Sequence, residues 1–171
     1  MSTLAQDRQF LEAAIPELGN YLLSKEVFWP LGGALSRLTI GNLLLAQARL
    51  GGEVYFAQCD SVRLRWPVAW ESKILQEIHS RLGLWQNFLR DYAASPDEHS
   101  DRYPQEVRNR VMLHLLAGQL REKPVELDSL SGLDDQLKGS LIPGAFAWEA
   151  EIESSFPRPE YWFLYGTLKS K

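Results

Sequence analysis

The sequence contains one cysteine, three histidines and no long hydrophobic run, and each of these shortages excludes a class of protein. The single cysteine, Cys59, cannot form a disulfide within the chain, which is typical of a reducing compartment. No run of roughly eighteen apolar residues occurs, so we predict no membrane-spanning helix. Asp7 and Glu12 occur where a signal peptide would have basic and apolar stretches. We therefore expect a cytoplasmic protein without a membrane partner.

The common motifs for metals, cofactors and nucleophiles are also missing. No His-Glu-x-x-His, paired-cysteine or di-iron Glu-x-x-His pattern is present. Residues 97–101, which we predict to form a solvated polar loop, lack the glycine and the ligand order of a calcium loop. Neither a phosphate-binding loop nor a Gly-x-Ser-x-Gly elbow occurs. We therefore predict no metal and no cofactor, and we interpret Cys59 as an inert thiol rather than a nucleophile.

The net charge and the length of the chain further limit the classes of protein that fit the sequence. The formal net charge of −4 argues against a general nucleic-acid-binding surface, so no nucleic-acid partner is expected. The charge is uneven, because residues 61–123 are mildly basic whereas residues 124–171 are acidic. A chain of 171 residues fits one domain, and its six tryptophans, seven phenylalanines and six tyrosines supply ample core material.

The longest regular pattern extends from Pro67 to Tyr92. Apolar residues recur there every three or four positions, which is the spacing of one helix face: Trp70, Ile74, Ile78, Leu82, Trp85, Leu89 and Tyr92. Lys73, Glu77 and Arg81 lie four apart on another face and suit i,i+4 ion pairs. At 1.5 Å per residue the pattern predicts a helix roughly 37 Å long, ending near Ala94. Its apolar stripe requires partner helices.

Shorter helices are predicted at 4–23, 34–50, 104–121 and 145–155, and one or two more at 127–139. Pro16 falls inside the first of them, and the residue before a proline avoids the α region, so we expect a break or sharp kink there. The sequence Ile142-Pro143-Gly144 is typical of a turn.

Residues 53–66 allow two interpretations. Val54 and Phe56, followed by residues 62–66, alternate with polar residues as strands do. The same stretch fits a helix that leads into the long one. We favour the helix, because an isolated hairpin in a helical chain has little to pair with.

Five large side chains stand together at 161–165, after the stiff residues Pro157 and Pro159. If exposed, they would form a ligand-stacking surface or a partner-docking tail. We favour packing against the helices of the same chain, because an exposed aromatic run of this kind promotes aggregation. The prolines predict that the chain enters this segment in an extended form.

Together these patterns predict an all-α fold, a single domain over residues 1–171. It is an irregular bundle of about five to seven helices, with an extended aromatic C-terminal segment packed on it. The main helices fall in 1–123, and the short helices with the aromatic segment in 124–171. The predicted core consists of Leu11, Leu18, Leu22, Leu38, Leu45, Ile74, Ile78, Leu82, Trp85, Leu89, Val111 and Leu115.

Two classes of function fit these observations. The first is a non-enzymatic protein–protein interaction or scaffold module, which binds another protein or itself as a homodimer. The absence of a catalytic constellation favours it, and its candidate interaction residues are Tyr161, Trp162, Phe163 and Tyr165.

The second class is a small-molecule-binding protein or an enzyme with a polar site between the 67–94 and 104–121 helices. Its candidate ligand-binding residues are Glu77, His79, Arg110 and His114. A closed polar pocket around those side chains would favour this second hypothesis.

Overall fold

A computed structural model of the chain describes residues 2–52 and 55–171. Over these residues the elements are α1 (Leu4–Leu23), α2 (Ile40–Arg49), α3 (Phe56–Arg65), α4 (Pro67–Ala94), α5 (Pro96–His99), α6 (Tyr103–Ala117), α7 (Ser129–Ser140), β1 (Leu141–Phe146) and β2 (Tyr165–Leu168). The predicted all-α irregular bundle is confirmed, with the addition of one small sheet. The helix predicted over 53–66 is found as α3, while Val54 lies outside the described residues.

The central element is α4, which confirms the predicted long helix. Pro67 occupies its first turn, where a missing amide donor costs no hydrogen bond. Every residue of the predicted apolar stripe is buried, and α4 packs most extensively against α6. Of the predicted core, Leu115 alone is only half-buried, because α6 turns Leu113 and Leu116 inward instead.

The first helix continues through Pro16, so the predicted break is wrong. A proline removes one backbone hydrogen bond. The helix is secured at its start by a capping box, in which Thr3 and Gln6 each accept a hydrogen bond from the other's amide. Leu11 and Leu18 are fully buried on either side of Pro16. Burial of this stripe outweighs the local preference against helix.

The helix predicted at 34–50 begins later, at Ile40. Thr39 caps it by accepting a hydrogen bond from the Asn42 amide at 2.9 Å. The residues before Thr39 are not helical, and Trp29 and Leu38 exchange backbone hydrogen bonds of 3.0 and 2.7 Å. This pairing satisfies backbone groups in the 24–39 connection and buries Leu38 without a helix.

The predicted turn at Ile142-Pro143-Gly144 is wrong, because these residues lie in β1. Strand β1 pairs with β2 in antiparallel fashion, with Pro143 opposite Gly166 and an irregular register beyond Pro143. A two-stranded sheet has only edges, and edge strands tolerate proline. A Cβ at Gly166 would lie 2.2 Å from the Ile142 carbonyl oxygen, so this close approach requires glycine.

Three shorter segments also differ from prediction or refine it. The polar loop expected at 97–101 is mostly helical, formed by α5 and a 3-10 turn at Ser100–Arg102. The helix expected at 145–155 is a 3-10 turn at Ala150–Ser155. The helix expected at 127–139 is α7, preceded by a 3-10 turn.

The aromatic segment 161–165 folds back onto the bundle, as predicted. The predicted extended entry is wrong, because the Glu160 and Tyr161 amides both donate to the Pro157 carbonyl, at 3.2 and 2.9 Å, and form a turn. Residues 162–164 then form a 3-10 turn before β2 begins. The Tyr103 hydroxyl of α6 donates a hydrogen bond to the Phe163 carbonyl. The Tyr165 hydroxyl donates to the Phe156 carbonyl at 2.7 Å. These bonds attach the segment to α6 and to the residue that follows the 3-10 turn at 150–155.

Candidate functional site

A row of charged side chains on α4 is buried together with the apolar stripe. This charged row consists of Lys73, Glu77 and Arg81. The predicted i,i+4 ion pair is present between Glu77 and Arg81, with 3.3 Å between Oε1 and Nε. Burying three charged groups is expensive unless each is paired or hydrogen-bonded. The hydrogen-bond and ion-pair partners of these three side chains therefore indicate their role in the fold.

Glu77 is fully buried and faces the first turn of α2. Its Oε2 accepts a hydrogen bond from the Gly41 amide at 2.9 Å. A carboxylate at a helix N-terminus satisfies an otherwise unpaired amide and interacts favourably with the helix dipole. Glu77 thus acts as the capping anion of a neighbouring helix.

Arg81 joins α4 to two other parts of the chain. Its Nη1 donates to Asn109 Oδ1 on α6 at 3.3 Å, and its Nη2 donates to Thr39 Oγ1 at 3.4 Å. Its guanidinium also lies over the Phe28 ring, 5.5 Å from the ring centre. Arg81 therefore holds α6 and the start of α2 against the same face of α4.

Lys73 secures the connection after α1. Its ammonium donates to the Ser24 carbonyl at 2.9 Å and to the Glu26 carbonyl, and lies 4.8 Å from the centre of the Tyr21 ring. Burial lowers the pKa of Lys73, and burial followed by the charge of Glu77 raises the pKa of Tyr21. The charged row thus fixes residues 24–42, a stretch without helix until Ile40.

The two candidate histidines lie in separate surface pairs. His79 is exposed, with its Nδ1 3.0 Å from a Glu126 carboxylate oxygen. His114 Nε2 lies 2.7 Å from a Glu160 carboxylate oxygen, and its ring meets the Tyr161 ring edge-on at 4.9 Å. Each histidine connects its helix to the acidic C-terminal part of the chain.

Arg110 and Glu77 are both buried but have different partners. Arg110 forms a two-pronged ion pair with Asp134 of α7, at 2.8 Å for each bond, and lies over the Phe163 ring at 4.3 Å. Glu77 pairs with Arg81 and Gly41, as described above. The four candidate ligand-binding residues are thus distributed over four separate ion pairs. On α6, Arg81 of α4 bonds to Asn109 and not to a candidate residue.

The candidate interaction residues of the aromatic segment face their own chain. Tyr161, Phe163 and Tyr165 are buried, and Trp162 is half-buried with the Lys138 ammonium 5.0 Å from its ring centre. Only Trp162 keeps appreciable exposure.

Cys59 has the properties of an inert thiol. It is buried, and its pKa is raised from 9.0 to about 11, mainly by burial and further by Asp60. Across residues 2–52 and 55–171, no group of three or more His, Cys, Asp or Glu side chains is placed to hold a metal ion.

A cavity of about 360 Å³ lies beside a second buried ion pair, which sequence patterns did not indicate. Arg49 of α2 and Asp7 of α1 are joined there at 2.8 Å, and Arg49 lies 3.3 Å from Glu149. Arg49 also donates to the Ser2 carbonyl. Arg108 of α6 lines the same cavity. Residues 7, 49 and 108 share no sequence spacing, so only the tertiary fold brings them together.

A second distinctive region is the outer side of α3 together with its junction to α4, which we call the α3–α4 corner: Phe56, Leu64, Arg65, Trp66 and Val68. Leu64 and Val68 are 69% and 81% exposed, and Phe56 is 58% exposed. Helix α3 buries Cys59 alone among its ten residues. The guanidinium of Arg65 lies over the Trp66 ring at 5.3 Å.

No family model, no curated protein and no solved structure matches the chain. Among the described residues, no helix has both the length and the apolar character needed to cross a membrane.

Proposed function

We propose that the protein is a non-enzymatic interaction module that binds another protein through the α3–α4 corner. The observation that carries this proposal is the exposure of Leu64 and Val68 on either side of the junction between α3 and α4, with Phe56 exposed at the start of α3. Single exposed apolar residues are normal, whereas a cluster of them is typical of a binding surface.

The weak attachment of α3 supports the same proposal. An isolated helix of ten residues is marginal in water, and most helices in proteins gain stability from a packed apolar face. Within α3 only Cys59 is buried, with Val62 half-buried. A partner that covers Leu64 and Phe56 would supply the missing contacts.

The charge of the corner favours an acidic partner. Arg63 is paired with Asp60, whereas Arg65 forms no ion pair within the described part of the chain. An amphipathic helix carrying Asp or Glu beside its apolar face would match both features. A symmetric dimer through this corner would bring two copies of Arg65 towards each other, so a separate protein is the better fit.

The size of the patch predicts a modest affinity. Covering three such side chains contributes about 4–6 kcal/mol, whereas association costs at least about 4 kcal/mol. The apolar contact alone is therefore marginal, and ion pairs to Arg65 are expected to contribute to the affinity.

We place this interaction in the cytoplasm, because a chain with one cysteine is typical of a reducing compartment. A fluorescent fusion found outside the cell would contradict that placement.

Site-specific photocrosslinking tests the proposal. A photoreactive residue replaces Val68 in one sample and the exposed Leu84, on the same helix, in a control. We expect position 68 to crosslink to a segment of another protein with acidic residues beside helically spaced apolar ones, and Leu64→Ser to abolish the product.

Three results would count against this assignment. Equal yields from positions 68 and 84 would indicate non-specific contact. Products formed only with a second copy of the chain would indicate a homodimer. A crosslinked segment without acidic residues would contradict the proposed partner chemistry.

A further inference from the structure

The cavity beside Arg49 has the size and walls of a small-molecule site. Its volume of about 360 Å³ falls in the usual range of roughly 300–1,000 Å³. It lies between α1, α2 and α6 and is closed on one side by residues 34–36. Phe10, Leu35 and Leu45 form an apolar wall. Asn42 contributes a polar wall, and its amide is oriented by donating to the Arg37 carbonyl at 2.8 Å.

Arg108 is the one cation of this cavity without a partner in residues 2–52 and 55–171. The cavity is lined by two arginines, Arg49 and Arg108. Arg49 is paired with Asp7 and Glu149, whereas no ion pair among the described residues includes Arg108. The side chain is half-buried. Burial, and then the nearby charges of Arg81 and Arg49, lower the pKa of Arg108. A guanidinium has five donors, and leaving it half-buried and unpaired is unfavourable.

Arg49 is not available to a ligand in the same way. Its Nε donates to Asp7 at 2.8 Å, its Nη1 donates to Glu149 at 3.3 Å and its Nη2 donates to the Ser2 carbonyl. These bonds involve all three nitrogens and three of the five N–H donors. Arg49 and Asp7 therefore shape the cavity, whereas Arg108 offers a guanidinium that forms no ion pair within the described residues.

We propose that the cavity binds a small organic monocarboxylate with an apolar body, whose carboxylate pairs with Arg108. The guanidinium fork matches a carboxylate through two parallel hydrogen bonds. The apolar body would lie against Phe10, Leu35 and Leu45. This site is separate from the α3–α4 corner and does not depend on the interaction proposed for that surface.

The charges around the cavity favour a ligand with one negative charge over a ligand with two. Asp7 lines the cavity, and its carboxylate would repel a phosphate dianion. Arg108 alone among the cations that line the cavity forms no ion pair within the described residues, whereas Arg49 is already neutralised by Asp7 and Glu149. Inorganic phosphate should therefore bind more weakly than a carboxylate of matching size.

Nuclear magnetic resonance titration of the full chain tests the proposal with benzoate as the probe. Benzyl alcohol serves as its neutral match and inorganic phosphate as the dianion. We expect benzoate to shift the side-chain Nε–H signal of Arg108 and the amide signals of Asn42 and Ala46 in a saturable manner. Benzyl alcohol and phosphate should bind at least about tenfold more weakly.

Two variants assign the effect to the guanidinium. Arg108→Gln should weaken benzoate binding at least about tenfold, while Arg90→Gln, at an exposed position on α4, should leave it unchanged. Arg108→Lys keeps the positive charge but lacks the forked guanidinium. It replaces Arg108→Gln in the binding test if Arg108→Gln fails to fold. Arg108→Gln should not lower the unfolding temperature, because it removes an unpaired charge.

The outcomes that overturn the proposal are specific. Equal binding of benzoate and benzyl alcohol would show that the carboxylate is not recognised. Unchanged benzoate affinity in a folded Arg108 variant would show that Arg108 does not bind the ligand. Tighter binding of phosphate, or no saturation below about 50 mM benzoate, would refute the monocarboxylate site.

Discussion

Glu77 accepts a hydrogen bond from the backbone amide of Gly41, which precedes it by 36 residues, with 2.9 Å between nitrogen and Oε2. The contact has no room for a side chain at position 41. A Cβ there would lie 2.3 Å from Glu77 Oε1 and 3.2 Å from Met112 Sδ. The glycine therefore allows α2, α4 and α6 to meet at one point.

The first prediction follows from this close approach. Gly41→Ala should destabilise the fold by about 2–3 kcal/mol, because the buried carboxylate cannot move aside without losing Arg81 or the α2 amide. Gly83→Ala is the control, since Gly83 is helical and has open space around it. That change should stabilise by about 0.5–1 kcal/mol. Urea unfolding gives both values, and equal effects would contradict the close packing at Gly41.

The second prediction concerns the connection held by Lys73. Lys73→Met keeps the length of the side chain but leaves the Ser24 and Glu26 carbonyls without their donor. We expect a loss of about 1–3 kcal/mol. Amide hydrogen exchange should accelerate in residues 24–38 before it does in α4. Lys123→Met, at an exposed position, should change neither quantity. Uniform acceleration across the chain would argue against a local role for Lys73.

The third prediction compares two neighbours in the aromatic segment. Phe163 is fully buried and Trp162 is half-buried. Phe163→Ala should therefore cost about 3–5 kcal/mol, because it opens a cavity under Arg110. Trp162→Ala should cost less than half of that. Chemical unfolding followed by circular dichroism measures both losses of stability. A larger loss for Trp162→Ala would contradict the deeper burial of Phe163.

The fourth prediction uses the thiol of Cys59. With a pKa of about 11, the native thiol should react with iodoacetamide at pH 8 about 100-fold more slowly than an ordinary thiol of pKa 9.0. Alkylation in urea gives the reference rate. Equal rates in the native and unfolded chain would contradict the burial.

The same thiol predicts the sign of a pH effect on stability. The folded pKa of Cys59 lies above the unfolded value, so its contribution is present below pH 9.0 and is lost as the pH rises towards about 11. Cys59→Ser should reduce the loss of stability over that interval. A steeper loss in the serine variant would show that other groups dominate.

Periodicity was sufficient for the parts of the fold that local sequence determines. The seven-residue stripe of α4 specified both the extent of the helix and its buried face. The spacing of Glu77 and Arg81 also predicted their ion pair, but not the amide of Gly41 that Glu77 caps. That partner lies on another helix, so no local pattern contains it.

The errors arose where distant residues decide local structure. Ile142-Pro143-Gly144 has the composition of a turn, but β2 pairs with it from more than twenty residues away. Pro16 remains helical because the buried residues around it hold α1 in place. Arg108 did not stand out in the sequence, because its significance is the lack of a partner in a cavity that three helices build.

The charged row has a consequence for the register of the helices. Apolar stripes repeat every turn, so a slip of about 5.4 Å along α4 would still bury leucine against leucine. The charges do not repeat in this way. One turn in either direction would place the positive end of α2 against Lys73 or Arg81 and leave Glu77 without its amide. The alternating signs along α4 therefore make one alignment of α2 stable and the neighbouring alignments unfavourable.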